Sequence, residues 1–421
     1  MVSDELHWAY PEDVPGSRCD PEDGLWPRAY YLLDEPEIWQ AFQGLADPQS
    51  VLLDPVHGRR GDVTNFQPSP AALTQDRYVV KQLNIHGRMW VLTGVFDGHL
   101  GDETVDHVAH HLPIIIQEFL QDAFRKDPLQ RVSPAFISGL FSRSIIAFDD
   151  AIAGDILKLF GGAERLARYT DQEIREIVND QEKGGDNYKK ARLCMYGTTA
   201  LVALIDPEYE NLWVANLGDC QAILVSPRGA EEWDVELLTE EHNGDNDAEI
   251  ARVRREHPGE SECVVNRRVL GALAPFRGLG DVPFKQPPAF TRRILYNLAP
   301  GFSDTAPWEI CLARNLTPPY MSAVAEITHR PLQRGPHYLI LASDGFADLC
   351  RARGRERVVS AWAAREAQAK PATADAASNM ATRLLREALG GGEDRVGVSC
   401  ALTLDMEGAW MDDTAIVVQT L

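Results

Sequence analysis

The chain has 421 residues, enough to bury a full core without disulfide or metal staples. Apolar residues make up 44% and charged residues 25%, ordinary globular usage that excludes wholesale disorder and fibrous repeats. Lys and Arg total 41 against 63 Asp and Glu, a formal net charge of −22; such a surface repels phosphate backbones and anionic lipid, so no nucleic-acid partner is expected.

Seven cysteines are scattered, odd in number and never spaced C-x-x-C, which argues against a disulfide framework or a zinc knuckle and for a reducing compartment. No apolar run approaches the roughly 20 residues of a membrane span. The start, Met1-Val-Ser-Asp-Glu5, is acidic where a targeting peptide would be basic, so the expected location is cytoplasmic or nuclear.

Along the chain, residues 1–50 are rich in Pro, Asp, Glu and Trp without sustained period and read as an irregular arm packing through Trp8, Trp26 and Trp39. A single domain over 51–421 follows. Strand patterns are expected at Met89–Phe96, Thr199–Ile205, Leu212–Asn216, Ala222–Val225, Tyr338–Ala342 and Thr414–Gln419. The clearest helix is Glu103–Phe124, with Pro113 either in its first half or breaking it. Ser133–Phe148 and Thr170–Gln181 form a helical insertion at about 133–185, and about 243–335 reads as a lid-like segment with substructure of its own. Arg355–Gln368 and Ala374–Leu389 close the helical count. Strands and helices mix without strict alternation, which predicts an α+β fold with largely antiparallel sheets.

The chemical signal is a repeated arrangement of carboxylates at strand ends. Val91–Phe96 runs into Asp97-Gly98-His99, Leu339–Ser343 into Asp344-Gly345, and Asp412-Asp413 opens Thr414–Gln419. Leu217-Gly218-Asp219 and Gly280-Asp281 repeat the theme. One Asp-Gly is most often only a turn. Several together suit Mg²⁺ or Mn²⁺, which take a few carboxylates and retain waters, and paired ions suit phosphoryl hydrolysis.

Six ordered segments resemble the metal-dependent type 2C protein serine/threonine phosphatases: Val95–His99, Tyr196–Ala200, Val214–Asp219, Phe276–Asp281, Leu341–Gly345 and Asp412–Thr414. Glu241–Asn246, Glu256–Pro258, Arg268–Gly271, Gly280–Lys285, Pro318–Tyr320 and Gly391–Asp394 are similar to the pyruvate dehydrogenase phosphatase branch. The resemblance implies two central antiparallel sheets between helical layers, and hydrolysis of phosphoserine or phosphothreonine by a metal-bridging hydroxide. It implies that Asp97 bridges two Mg²⁺ or Mn²⁺ ions, that Gly98 offers a backbone carbonyl, and that Asp344 and Asp412 complete the pair. Asp219, with Asp344 and Asp348, resembles the site of a third, weaker ion, Asp76 lies near the metals, and His99 matches the general acid. The implied partner is a phosphoprotein, pyruvate dehydrogenase by branch, and the branch implies a mitochondrial alternative for location.

There are departures from the pattern. Gln75 stands where Glu is usual, and Ala71 where a phosphate-holding Arg or Asn is expected; Arg59 or Arg60 would supply that grip from the same loop, with Arg277 as a further candidate. These changes support a second expectation, a binding or regulatory protein that has kept the fold and lost turnover. His107, His110 and His111 alternate with an apolar helix stripe and read as structural, and Cys220 reads as buried and inert.

Overall fold

The computed structural model describes residues 6–19, 26–69, 72–126, 133–229, 232–302, 308–333, 335, 337–368, 376–391, 394–406 and 408–421. Two antiparallel sheets lie at its centre. In one, seven strands pair in the order Leu279–Gly280, Gly197–Thr198, Arg88–His99, Ala200–Ile205, Asn211–Leu217 and Glu326–Pro331, with Asp76–Ile85 also paired to Arg88–His99. In the other, six strands run in the order Trp233–Leu237, Gln221–Pro227, Tyr338–Ala342, Thr414–Thr420, Arg59–Phe66 and Gln49–Asp54.

Successive side chains on a strand point to opposite faces, and here both faces are covered, which is why the strands read as continuous apolar runs. Val91, Val95, Leu201, Ala203, Leu339, Leu341, Ala415 and Val417 meet between the sheets. Their neighbours Leu92, Phe96, Val202 and Leu204 face helices Glu103–Lys126 and Pro134–Lys158. Ile340, Ala342, Ile416 and Val418 face helices Arg355–Glu366, Met380–Leu389 and Arg395–Thr403. The layers are helix, sheet, sheet, helix: an α+β sandwich.

Every strand pattern read from sequence is a strand, but one boundary differs in a way that matters. The strand expected to stop before Asp97 continues through His99, because Gly98 and His99 pair with Thr198 and Gly197. Asp97-Gly98 is therefore part of a ladder and no turn. Pro113 sits in the first half of Glu103–Lys126 without ending it.

The segment expected as an irregular arm is not irregular. It carries a hairpin, Leu6–Ala9 with Arg28–Tyr31, and a helix, Glu35–Leu45, whose Ile38 and Phe42 are fully buried. Trp26 and Trp39 pack against the outer helical layer, while Trp8 is 61% exposed. A local signal for that helix was present: Asp34 and Glu37 form a capping box around Pro36. Within residues 243–335, helices Asp247–Glu256 and Trp308–Arg314 and the hairpin Val264–Val265/Arg268–Val269 surround a small apolar cluster of their own, including Val253, Leu270, Phe276 and Tyr320, while helix Pro288–Arg293 packs its Phe290 into the main core. Among the described residues no helix is long and apolar enough to cross a membrane.

Candidate active site

Antiparallel pairing brings several chain reversals to one end of the sandwich. Asp97 lies opposite Asp76, Thr414 opposite Phe66, and Gln221, just after Asp219, opposite Ala342, just before Asp344. Asp97, Gly98, His99, Asp219, Asp344 and Asp412 line one cleft of about 710 Å³, together with Gln75, Arg18 and Arg268. The far wall is apolar and comes from the 243–325 segment, through Leu273, Pro275, Phe284 and Trp308.

Each acidic residue is held differently. The Asp97 N–H donates to Thr199 Oγ1 at 3.0 Å, and Thr198 Oγ1 donates to the Asp97 carbonyl at 2.9 Å, which gives the paired threonines of Tyr196–Ala200 their purpose. Gly98 admits no side chain, since a Cβ there would meet the Gln75 carbonyl oxygen at 2.7 Å. Asp344 and Asp348 stand one turn apart on helix Asp344–Cys350. Asp219 accepts from Asn243 Nδ2 at 3.2 Å. Asp76 is buried behind Asp97, and one of its oxygens accepts the Ala415 N–H at 3.0 Å. Asp412 and Asp413 both line the cleft, and Asp413 in addition accepts from Gln67 Nε2 and the Gln75 N–H, both at 2.7 Å.

The electrostatics are those of charge crowded without sufficient counter-charge. Burial, and then the neighbouring Asp413 and Asp344, raise Asp76 to about 7. Burial and Asp344 raise Asp219 to about 7 and Asp412 to about 8, the latter against the pull of Arg18. Asp97 is pushed well above the usual carboxylate range by burial and by Asp76 and Asp344. Ion pairs to Asp97, Asp219, Asp344, Asp348 and Asp412 come, among the described residues, only from Arg18 and Arg351. The Arg18 guanidinium contacts Asp412 and lies 3.0 Å from Asp348 and 3.6 Å from Asp344, and Arg351 reaches Asp348 at 2.6 Å.

Arg18 was not foreseen, being 79 residues before Asp97 (97 − 18) on the segment expected as an arm. It is fixed by its N–H, which donates to the Trp410 carbonyl at 2.9 Å, and by the bridge between Ser17 and Met411. Asp281, which the sequence marks as a further carboxylate of the Gly-Asp theme without assigning it a role, has its two carboxylate oxygens 2.9 and 3.0 Å from His99 Nε2. Burial lowers the affinity of His99 for its proton, but Asp281 outweighs it and the net direction is upward. Gly197 makes this pair possible, because a Cβ there would lie 1.9 Å from Asp281 Oδ2.

Arg59 and Arg60 do not line the cleft, contrary to expectation. Arg59 lies over the Tyr209 ring and pairs with Asp54 at 3.1 Å, while Arg60 pairs with buried Asp62 and donates to the Ser378 carbonyl. They sit at the start of strand Arg59–Phe66, whose opposite end approaches the site, so strand length keeps them away. Arg277 is likewise committed, to Glu249 at 2.6 Å. Ala71 lies outside the described residues. Cys220 is fully buried, its thiol pushed up by burial and by Asp97.

A sequence model described as protein phosphatase 2C matches residues 157–393, more than half of the chain. The chain belongs to the protein phosphatase 2C family. A protein phosphatase 2C homologue of Schizosaccharomyces pombe is 27% identical over 82% of this chain and 76% of its own length. A human mitochondrial protein named pyruvate dehydrogenase (acetyl-transferring) phosphatase 1 is 26% identical over 97% and 88%. The structure of a serine-threonine phosphatase 2C from Toxoplasma gondii aligns over 89% of this chain and 99% of its own at 15% identity, with a TM-score of 0.49.

Phosphatases of this family are generally metal-dependent, and the donor set of this member suits hard divalent cations: carboxylates on rigid strand ends, crowded enough to resist ionisation, with no thiolate among them. Among the described residues no three His, Cys, Asp or Glu side chains gather closely enough to hold an ion as they stand. The Arg18 guanidinium lies among Asp344, Asp348 and Asp412, where it supplies positive charge itself.

Proposed function

We propose that this protein phosphatase 2C family member is a Mg²⁺- or Mn²⁺-dependent phosphatase of phosphoserine and phosphothreonine in proteins. The observation that carries the reading is the meeting, in one cleft, of Asp97, Asp219, Asp344 and Asp412 with the His99–Asp281 pair. Asp97, Gly98, Asp344 and Asp412 would hold two ions, Asp219 and Asp348 a third with Asp344, and Asp76 would back them. Bound there, such ions neutralise phosphoryl charge and make a water acidic enough to attack at neutral pH.

The chain's own groups do the remaining work. His99 keeps its Nε2 on Asp281, which leaves Nδ1 to give a proton to the departing serine or threonine oxygen. Among the described residues the cleft is lined by two guanidinium groups, and since Arg18 is paired with Asp344, Asp348 and Asp412, Arg268 is the cation at hand for a phosphoryl dianion in a chain of net charge −22. The name of the human relative brings the finer reading, a phosphorylated pyruvate dehydrogenase substrate and a mitochondrial location, which imaging of the tagged full-length chain and assay on that phosphoprotein would test.

One observation favours the second reading, a binding protein without turnover: Arg18 occupies the charge space that ions would fill. Hydrolysis of a phosphothreonine peptide with and without Mn²⁺, beside Asp97→Asn, separates the two. Mn²⁺-dependent turnover lost in Asp97→Asn supports the enzyme; none in either protein supports the binding role.

A further inference from the structure

Asp281 is held in place from behind. Its backbone sits at φ +50° and ψ +41°, a left-handed conformation that a residue with a side chain rarely adopts and that persists only where the surroundings over-determine it. Its N–H donates to the Tyr196 carbonyl at 2.9 Å. The preceding N–H, of Gly280, donates to Asp149 Oδ1 at 2.8 Å. Lys285 Nζ donates to both Asp149 oxygens, at 2.8 and 2.7 Å, and to the Gly278 carbonyl at 2.8 Å.

Asp149 belongs to helix Pro134–Lys158 and Lys285 follows the turn, so the pair ties that helix to both sides of Asp281. Their side chains are 9% and 11% exposed. A buried ion pair is weak evidence for stability, because apolar side chains of similar volume often do as well, so its presence here calls for another reason. Both residues line a separate cavity of about 600 Å³, and neither lines the cleft.

We propose that Asp149 and Lys285 are positioning residues for His99: by clamping the Gly278–Asp281 turn they aim both Asp281 oxygens at Nε2 and so hold the ring where it can protonate the leaving group. This rests on His99 being the proton donor, and the test separates the two claims. The measurement is kcat and KM for a phosphothreonine peptide, whose alkoxide needs a proton, and for p-nitrophenyl phosphate, whose leaving group needs little help.

His99→Gln alone tests the underlying reading, which falls if the variant slows both substrates equally. Asp149→Asn and Lys285→Met should lower peptide kcat by about 10- to 100-fold, with KM within about twofold and aryl phosphate turnover nearly unchanged. Lys285→Arg should recover part of the loss, and adding Asp149→Asn to His99→Gln should cost little more. If His99→Gln shows the substrate split while Asp149→Asn and Lys285→Met slow both substrates alike, raise KM, or add fully to His99→Gln, the positioning role is wrong and the pair is structural. Aryl phosphate turnover doubles as the folding control; should Asp149→Asn not fold, the two Lys285 variants carry the same comparison.

Discussion

The two walls of the cleft are built by different physics. The acidic wall rises from the sheet sandwich, where alternate apolar side chains of both sheets interlock and the strand ends they fix deliver Asp97, Asp219, Asp344 and Asp412 to one place. The opposite wall belongs to residues 243–325, whose apolar cluster is small and whose strands are two residues long. Polar clasps hold it instead. Glu249 receives Arg252 and Arg277, and His257 stacks on Tyr320 with ring centroids 4.0 Å apart. A precise carboxylate cluster needs the stiff wall, while the other wall can vary in shape as long as its clasps close.

The largest expected effect is on the stiff wall. Asp97→Asn should cut metal-dependent turnover by about 10³-fold, the size that loss of one preorganised charge contact can reach; a phosphopeptide rate within tenfold of wild type would place the chemistry elsewhere. Leu341→Ala, between the sheets, should lower global stability by about 2–5 kcal/mol, seen in urea unfolding by probes throughout the domain.

Glu249→Gln should act on the other wall alone. Despite burial, the two guanidinium groups hold the Glu249 carboxyl at about 2, below the 4.5 of a free one. Its contribution, about 3 kcal/mol, is therefore fully present above pH ~4.5 and is lost as the pH falls towards 2. Hydrogen exchange at neutral pH should be about 100-fold faster in helix Asp247–Glu256 of the variant with the sheets unchanged, and the difference should shrink in acid. Equal loosening of the sheets would mean that the walls are one cooperative unit. The smallest effect is expected from Arg59→Ala, on neither wall: KM within about twofold of wild type and a stability loss of about 1 kcal/mol at most.

The same contrast explains what could be read from the sequence. The sandwich was legible because period and burial write themselves into runs such as Tyr338–Ala342, and the carboxylates because each ends or opens such a run. The partners that shape the site were not, since each is distant in sequence and unmarked by period. Arg18 reaches Asp412 from the first hairpin region, Asn243 reaches Asp219 from beyond the paired strands Gln221–Pro227 and Trp233–Leu237, and Asp281 reaches His99 from a left-handed backbone conformation. Arg59 and Arg60 misled for a related reason: closeness in sequence to the expected loop says nothing about which end of a strand faces the cleft.

Calorimetric titration of Mn²⁺ into wild type, Arg18→Ala and Asp97→Asn tests most directly whether the cleft acids form a cation site that Arg18 partly neutralises. Wild type should bind Mn²⁺. Asp97→Asn should lose the tight component, and Arg18→Ala should bind about 3- to 10-fold more tightly, since a half-exposed guanidinium no longer competes for Asp344, Asp348 and Asp412. Binding in Asp97→Asn equal to wild type, or weaker binding in Arg18→Ala, would contradict the account.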